Sequence, residues 1–293
     1  MSWFEPRPGD GGLLRRSALI RVEDPTLVDK ALRRKQVVRV HRGIYKEGEP
    51  PDDRERAWAA CATVGGCVAV ASHRTAARVL GLEVPAGGPD EVTIPRCERR
   101  PHRADLRFHT SVLAAEDVLD LDGLRVTTVA RTLVDLARTE EEYRAVWAME
   151  RALFRSRVTR EELDDAIRRC RGTPGVLRAR RLVAAARPLS GSPLETAGRL
   201  ALVEDGLEEP EVQMPVTRAD GKNAYVDLAY RRQRQGFEFD GRSEHGMEMA
   251  VFEDRDRENQ ILLRDLTIYR FSWFDVFRRR AQYLRTVRGA IGA

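Results

Sequence analysis

The stretch NAYVDLAYRRQRQGFEFDG, residues 223–241, decides how the C-terminal third of the chain is read. Two strand-like runs flank a polar RRQR segment, and the shortest turn between them puts Arg232 and Gln233 at the tip. Arg231 then faces Arg234, and the same register carries Asp227 opposite Glu238, with Cβ atoms about 5 Å apart. Strand alternation puts Asp240 on the face of Glu238. Val226, Leu228, Tyr230, Phe237 and Phe239 are expected on the other face, as a core stripe. Three carboxylates on one small area repel one another. A divalent cation that favours oxygen ligands, Mg2+ or Mn2+, relieves that repulsion. It can also polarise a phosphoryl oxygen and generate hydroxide from bound water. The competing reading is a solvent-facing hairpin whose acids pair with Arg231, Arg232 and Arg234, although those arginines sit at the turn, several residues from Glu238. Glu195, on the helix before the strands, is a further candidate ligand.

Outward from this hairpin, PLSGSP (188–193) is a composition break. It opens a segment over 190–293 that reads as helix, three strands, helix, strand, helix. The helices are expected over 194–205, over MAVFEDRDRENQILLRD (249–265) and over DVFRRRAQYLRTVRGAI (275–291). LTIYRFSW (266–273) is the last strand, and Asp220-Gly221 is a turn signal. About a hundred residues can enclose one core.

The N-terminus differs in charge. Over 13–46 there are ten Lys or Arg against three acids, whereas the whole chain nets only +5. Such a block fits a polyanion, or a solvated helix face. GGLLRRSALI (11–20) reads as a short helix. Asp24-Pro25 reads as an N-cap with proline at the first helical position, opening a helix over 26–35. QVVRVHRGIYKEG (36–48) reads as a hairpin turning near 41–43. Helix, helix and hairpin is the order of a winged helix-turn-helix, with the second helix in the major groove and the wing on the backbone. Arg33, Arg34, Lys35, Arg39, His41 and Arg42 gather at the helix end and wing, suited to phosphate contact.

Between these ends, 54–188 reads as an α/β and helical segment. RERAWAACATV and SHRTAARVLGL are expected helices, the second capped by Ser72. EVTIP and DLRFHT are expected strands joined by a basic loop, and a helix capped near Thr127 or Thr128 follows. TREE (159–162) matches a capping box. Further helices are expected over 140–155 and 174–186. No nucleophile–base arrangement is visible, and His73, His102 and His109 each read as isolated. The fold class is therefore α+β multidomain: 1–50 winged helix, 54–188 α/β with helices, and 190–293 α/β. The four cysteines show no metal-finger spacing and read as reduced thiols. No apolar run reaches about 20 residues, and the N-terminus lacks a signal-peptide core, so a cytoplasmic protein without a membrane span is expected.

Two family resemblances build on these motifs. GGLLRRSALI, RKQVVRVHRGIYKEG, SHRTAARVLGL, EVTIP and LRVTTVARTLVDLAR, over roughly 10–140, resemble the AbiEi-type antitoxins. That resemblance implies a winged-helix DNA-binding domain joined to a second α/β domain, DNA as a partner, autoregulation of transcription and a toxin partner protein. SPLET, YVDLAY, GFEFDG, DRDREN and LTIYRFSW resemble the PD-(D/E)XK nuclease superfamily, in its Vsr-like endonuclease branch. This implies metal-binding Asp227 and Glu238, a helix glutamate at Glu195, an acid–base histidine at His245, and phosphate-holding arginines at Arg257 and Arg270. The superfamily's lysine is replaced by Asp240, which can bind a metal or act as a base but supplies no positive charge. The first expectation is a Mg2+- or Mn2+-dependent DNA endonuclease in repair or defence. The second is a non-catalytic DNA-binding regulator with an inactive nuclease fold.

Overall fold

The computed structural model describes residues 13–15, 25–64, 69–95, 103–217, 223–240 and 266–293, with backbone only for 25–28. The predicted helix over 249–265, the Asp220-Gly221 turn, and His102, His245 and Arg257 lie outside the described residues. The chain divides into two compact α+β units, 1–140 with 156–183, and 141–155 with 184–293.

In the first unit, β1 (Leu13–Arg15) pairs with β3 (Ile44–Glu47), which also pairs with β2 (Val37–His41), both antiparallel. Leu13 and Leu14 are buried, and 13–15 pair as a strand within the span 11–20 where a helix was expected; 11–12 and 16–20 lie outside the described residues. The helix α1 runs over Pro25–Arg33, and Leu14, Ala31, Val37 and Tyr45 close a small core beneath it. The hairpin turns at 42–43 as expected, where Gly43 takes φ +80.

The larger sheet of this unit has the order β6-β5-β4-β8-β7. Its strands are β4 (Val70–Ala71), β5 (Asp90–Ile94), β6 (Leu106–Thr110), β7 (Val118–Leu121) and β8 (Leu124–Thr127). β5 is parallel to β6, and β4 to β8. The β7–β8 hairpin turns on Asp122-Gly123, both at positive φ, a two-residue turn whose twist matches the strands. Around the sheet lie α2 (Asp53–Ala62), α3 (His73–Val79), α4 (Val129–Thr139), α6 (Arg160–Arg169) and most of α7 (Val176–Ala185). Reciprocal capping boxes start α2, from Asp52 to Glu55, and α6, from Thr159 to Glu162.

The second unit holds α5 (Glu142–Phe154), α8 (Pro193–Glu204) and a sheet of order β12-β11-β10-β9. The strands are β9 (Glu211–Thr217), β10 (Asn223–Tyr230), β11 (Gln235–Asp240) and β12 (Thr267–Ser272), antiparallel except for the β11–β12 pair. The recorded β10–β11 partners, Leu228 with Phe237 through Tyr230 with Gln235, are those of the shortest-turn register. The face assignment needs correction. Leu228, Tyr230, Phe237 and Phe239 pack with α8, but Val226 packs in a second cluster with Met214, Ala224, Ala229 and Leu266. Both faces of this sheet are therefore apolar. Alternation slips between Val226 and Ala229, opposite Gln213, which takes φ +51. The closing helix is also two helices, α9 (Trp273–Phe277) and α10 (Arg280–Ile291). A Ser272–Asp275 capping box starts the first of them earlier than expected.

Candidate functional site

At the N-terminal edge, Arg33, Arg34, Lys35, Arg39 and Arg42 are all exposed. Arg39 and Arg42, with Arg103 and Asp105, line an open cavity of about 450 Å³. His41 is a correction: it is 1% exposed and faces inward. Its Nε2 lies 2.9 Å from Asp90 Oδ2 and its Nδ1 3.1 Å from Asp105 Oδ2. The slipped register between Arg39 and His41 turns this side chain away from solvent. His41 thus ties the hairpin to the larger sheet and cannot meet a phosphate.

The carboxylate that receives it is itself well held. Asp90 is fully buried and also accepts from Arg56, at 2.9 Å, and from Arg78. Burial opposes its ionisation. The hydrogen bond from His41 and the charges of Arg56 and Arg78 outweigh that and hold the carboxyl below its ordinary range.

In the second unit, Ser192 caps α8 and sets Glu195 in the first helical turn. Glu195 is buried, and its Oε2 accepts from Gly191 N–H at 2.6 Å and from Gln213 Nε2 at 3.0 Å. The same Gln213 amide donates to Asp227 Oδ1 at 3.0 Å, and Asp227 Oδ2 accepts from Phe239 N–H at 2.9 Å. Glu195 and Asp227 are thus neighbours through one glutamine. Burial, and then the Asp227 charge, push the Glu195 carboxyl above its ordinary range.

Glu238 pairs with an arginine of the neighbouring strand. Its Oε2 meets Arg270 at 3.3 Å, its partner across the parallel pair with β12. The β10–β11 ladder stops at Leu228 and Phe237, one step short of Asp227 and Glu238. Asp240 is exposed and lies beside Ser272. Arg231 pairs with Glu211 at the start of β9.

These residues do not fit a shared Mg2+ or Mn2+ as they stand. An amide donor occupies the position between Glu195 and Asp227 where a cation would need lone pairs. Among the described residues, the acids Glu195, Asp227 and Glu238 form no group of converging ligand atoms.

A third grouping escaped sequence reasoning. His73 and His109 are not isolated: their rings stack at 3.5 Å between centroids, beside Glu91. They come from α3 and β6, 36 positions apart, and no spacing motif joins them. Cys61 and Cys170 are free thiols, and burial pushes Cys61 up to about 12. Cys67 and Cys97 lie outside the described residues. No helix among the described residues is long and apolar enough to cross a membrane.

The family model for the AbiEi antitoxin C-terminal domain matches residues 64–185. The resemblance expected over 10–140 is therefore shown over a stretch that starts and ends later. Two uncharacterized Mycobacterium tuberculosis proteins, MT2308 of strain CDC 1551 and Rv2248 of strain H37Rv, are each 30% identical over 221 residues. The aligned region covers 75% of this chain and 80% of theirs. The crystal structure of the RV2827C protein from the same organism is similar at 16% identity, covering 70% of this chain and 83% of that one. The TM-score between the two is 0.43. The chain belongs to the family of MT2308 and Rv2248, and it carries an AbiEi antitoxin C-terminal domain over residues 64–185.

Proposed function

We propose that this chain is a DNA-binding regulator of the antitoxin type, acting in the cytoplasm beside a toxin partner protein, without catalysis of its own. The AbiEi domain at 64–185 carries this reading. Residues 1–50 act as a winged helix: α1 lies toward the major groove and the β2–β3 hairpin lies along the backbone. Residues 54–188 form the antitoxin domain, and 190–293 keep a PD-(D/E)XK-type arrangement of helix and strands. Arg33, Arg34, Lys35, Arg39 and Arg42 supply the phosphate contacts. Five such contacts give a slope of log affinity against log salt of about −4.5. Raising salt from 50 to 200 mM then weakens binding by roughly 500-fold. The test is duplex affinity across that salt range for the wild type and for a variant with all five cations changed to Ser. The variant is expected to lose most of the slope, and an unchanged slope removes the basic edge from the reading.

A second reading keeps the domain as a Mg2+- or Mn2+-dependent endonuclease. The closeness of Glu195 and Asp227 favours it. Glu238, Asp240, His245, Arg257 and Arg270 are its remaining candidates. The Gln213 amide between the two acids and the Glu238–Arg270 pair weigh against it.

A further inference from the structure

The stacked histidines of the first unit take no part in the DNA-binding reading, yet their surroundings are built like a ligand set. His73 opens α3 directly after β4, Glu91 lies on β5, and His109 lies on the adjoining parallel strand β6. The Nε2 atoms of both rings are buried without a hydrogen-bond partner. Glu91 Oε2 stands 3.8 Å from His109 Nε2, too far for a hydrogen bond. One donor atom from each residue lies within 4.8 Å of the other two. Two orphaned imidazole nitrogens, on stacked rings beside one buried carboxylate, are an arrangement that packing alone does not favour.

Further observations point the same way. His73 holds φ +51, a left-handed conformation that is strained for a residue with a side chain and that aims the ring at His109. Its Nδ1 lies 3.0 Å from Ser72 Oγ, which accepts in turn from Thr93 Oγ1 at 2.8 Å. A proton on Nδ1 donated to Ser72 leaves the lone pair on Nε2, the arrangement in which an outer hydrogen bond orients a metal-binding imidazole. Glu91 is fixed likewise: Oε1 accepts from Arg107 at 3.1 Å, and Oε2 accepts from the Arg74 backbone N–H at 3.2 Å. The nearby cations are already matched, Arg131 by Asp117 and Asp135, and Arg74 by Glu140.

We propose that His73 Nε2, His109 Nε2 and the Glu91 carboxylate bind one borderline divalent ion, Zn2+ foremost, with a fourth position open on the His109 side. Two imidazoles and one carboxylate with a free position is a donor set that suits zinc over Mg2+ or Ca2+. The side chain of His109 is 19% exposed, which gives the ion a way in. Binding draws the donors to about 2.0–2.2 Å from the ion and tilts the stacked rings apart, relieving both orphaned nitrogens.

The test uses the full metal-free chain. Calorimetric titration with Zn2+ is expected to give one tight site, weakened on the order of 100-fold or more in His109→Gln and in Glu91→Gln. Co2+ is expected to give tetrahedral visible bands without the thiolate charge-transfer absorption that Cys61 or Cys170 would add. X-ray absorption of the zinc-loaded wild type needs no variant, and a shell of two imidazoles with a carboxylate is expected. No stoichiometric uptake, a sulfur-containing or all-oxygen shell, or unchanged affinity in both variants overturns the proposal. None of these readouts involves DNA, so they succeed or fail apart from the regulator reading.

Discussion

Asp90→Asn cuts the tie between the N-terminal hairpin and the larger sheet. Asp90 is fully buried and takes His41 and Arg56 at 2.9 Å each, together with Arg78. Removing one charge from a buried pair costs about 3–5 kcal/mol, mostly through the cation left behind. Two facts place this case at the low end. Arg56 is 37% exposed and can turn to water, and Arg78 keeps Asp53 at 3.0 Å. A loss of about 3 kcal/mol follows, lowering the melting temperature of the first unit by roughly 6–12 °C. The sign with pH is fixed by the depressed Asp90 carboxyl. Its contribution is complete above the unfolded value near pH 4 and fades as pH falls through the lower folded value. The gap between wild type and variant is therefore widest at neutral pH and closes in acid. Scanning calorimetry at pH 7 and in steps down to about pH 2, below the depressed carboxyl, measures both, and hydrogen exchange at neutral pH should show faster opening of the β2–β3 amides in the variant. A shift below about 2 °C at neutral pH, or a gap that persists in acid, refutes the role given to Asp90.

Two further substitutions probe the second unit. Glu195→Gln removes an ionisation that burial and Asp227 disfavour. The wild-type contribution is complete below about pH 4 and is lost as pH rises through the elevated folded value. The variant is thus expected to melt higher than wild type at pH 8, with the difference vanishing near pH 4; a lower melting temperature at pH 8 contradicts this. Gly198→Ala puts a Cβ into the Phe239 ring and 3.2 Å from the Tyr283 hydroxyl. Overpacking outweighs the helix-propensity gain, for a net loss of about 1–2 kcal/mol in urea unfolding, and a stabilised variant contradicts the close packing of α8 on the sheet.

Local chemistry made much of this fold legible. Thr159 with Glu162 marked the start of α6, and the RRQR tip set the β10–β11 register that Leu228 and Phe237 keep. Long-range contacts were not legible. Leu13 and Leu14 joined a strand because β3 lay free to pair with them, which no helical periodicity reveals. Val226 left the expected face because Gln213, on another strand, holds a left-handed backbone opposite Asp227. Gln213 also decides how Glu195 meets Asp227, and a lone glutamine carries no motif. His41 looked basic and exposed beside Arg39 and Arg42, but its partners Asp90 and Asp105 lie 49 and 64 positions away.

The regulator reading is tested most directly by measuring duplex affinity and metal-dependent cleavage side by side for wild type and Asp227→Asn. Equal affinity in the two proteins, and no cleavage by either with Mg2+ or Mn2+, is the predicted result. Cleavage by the wild type that disappears in Asp227→Asn would contradict it and restore the endonuclease.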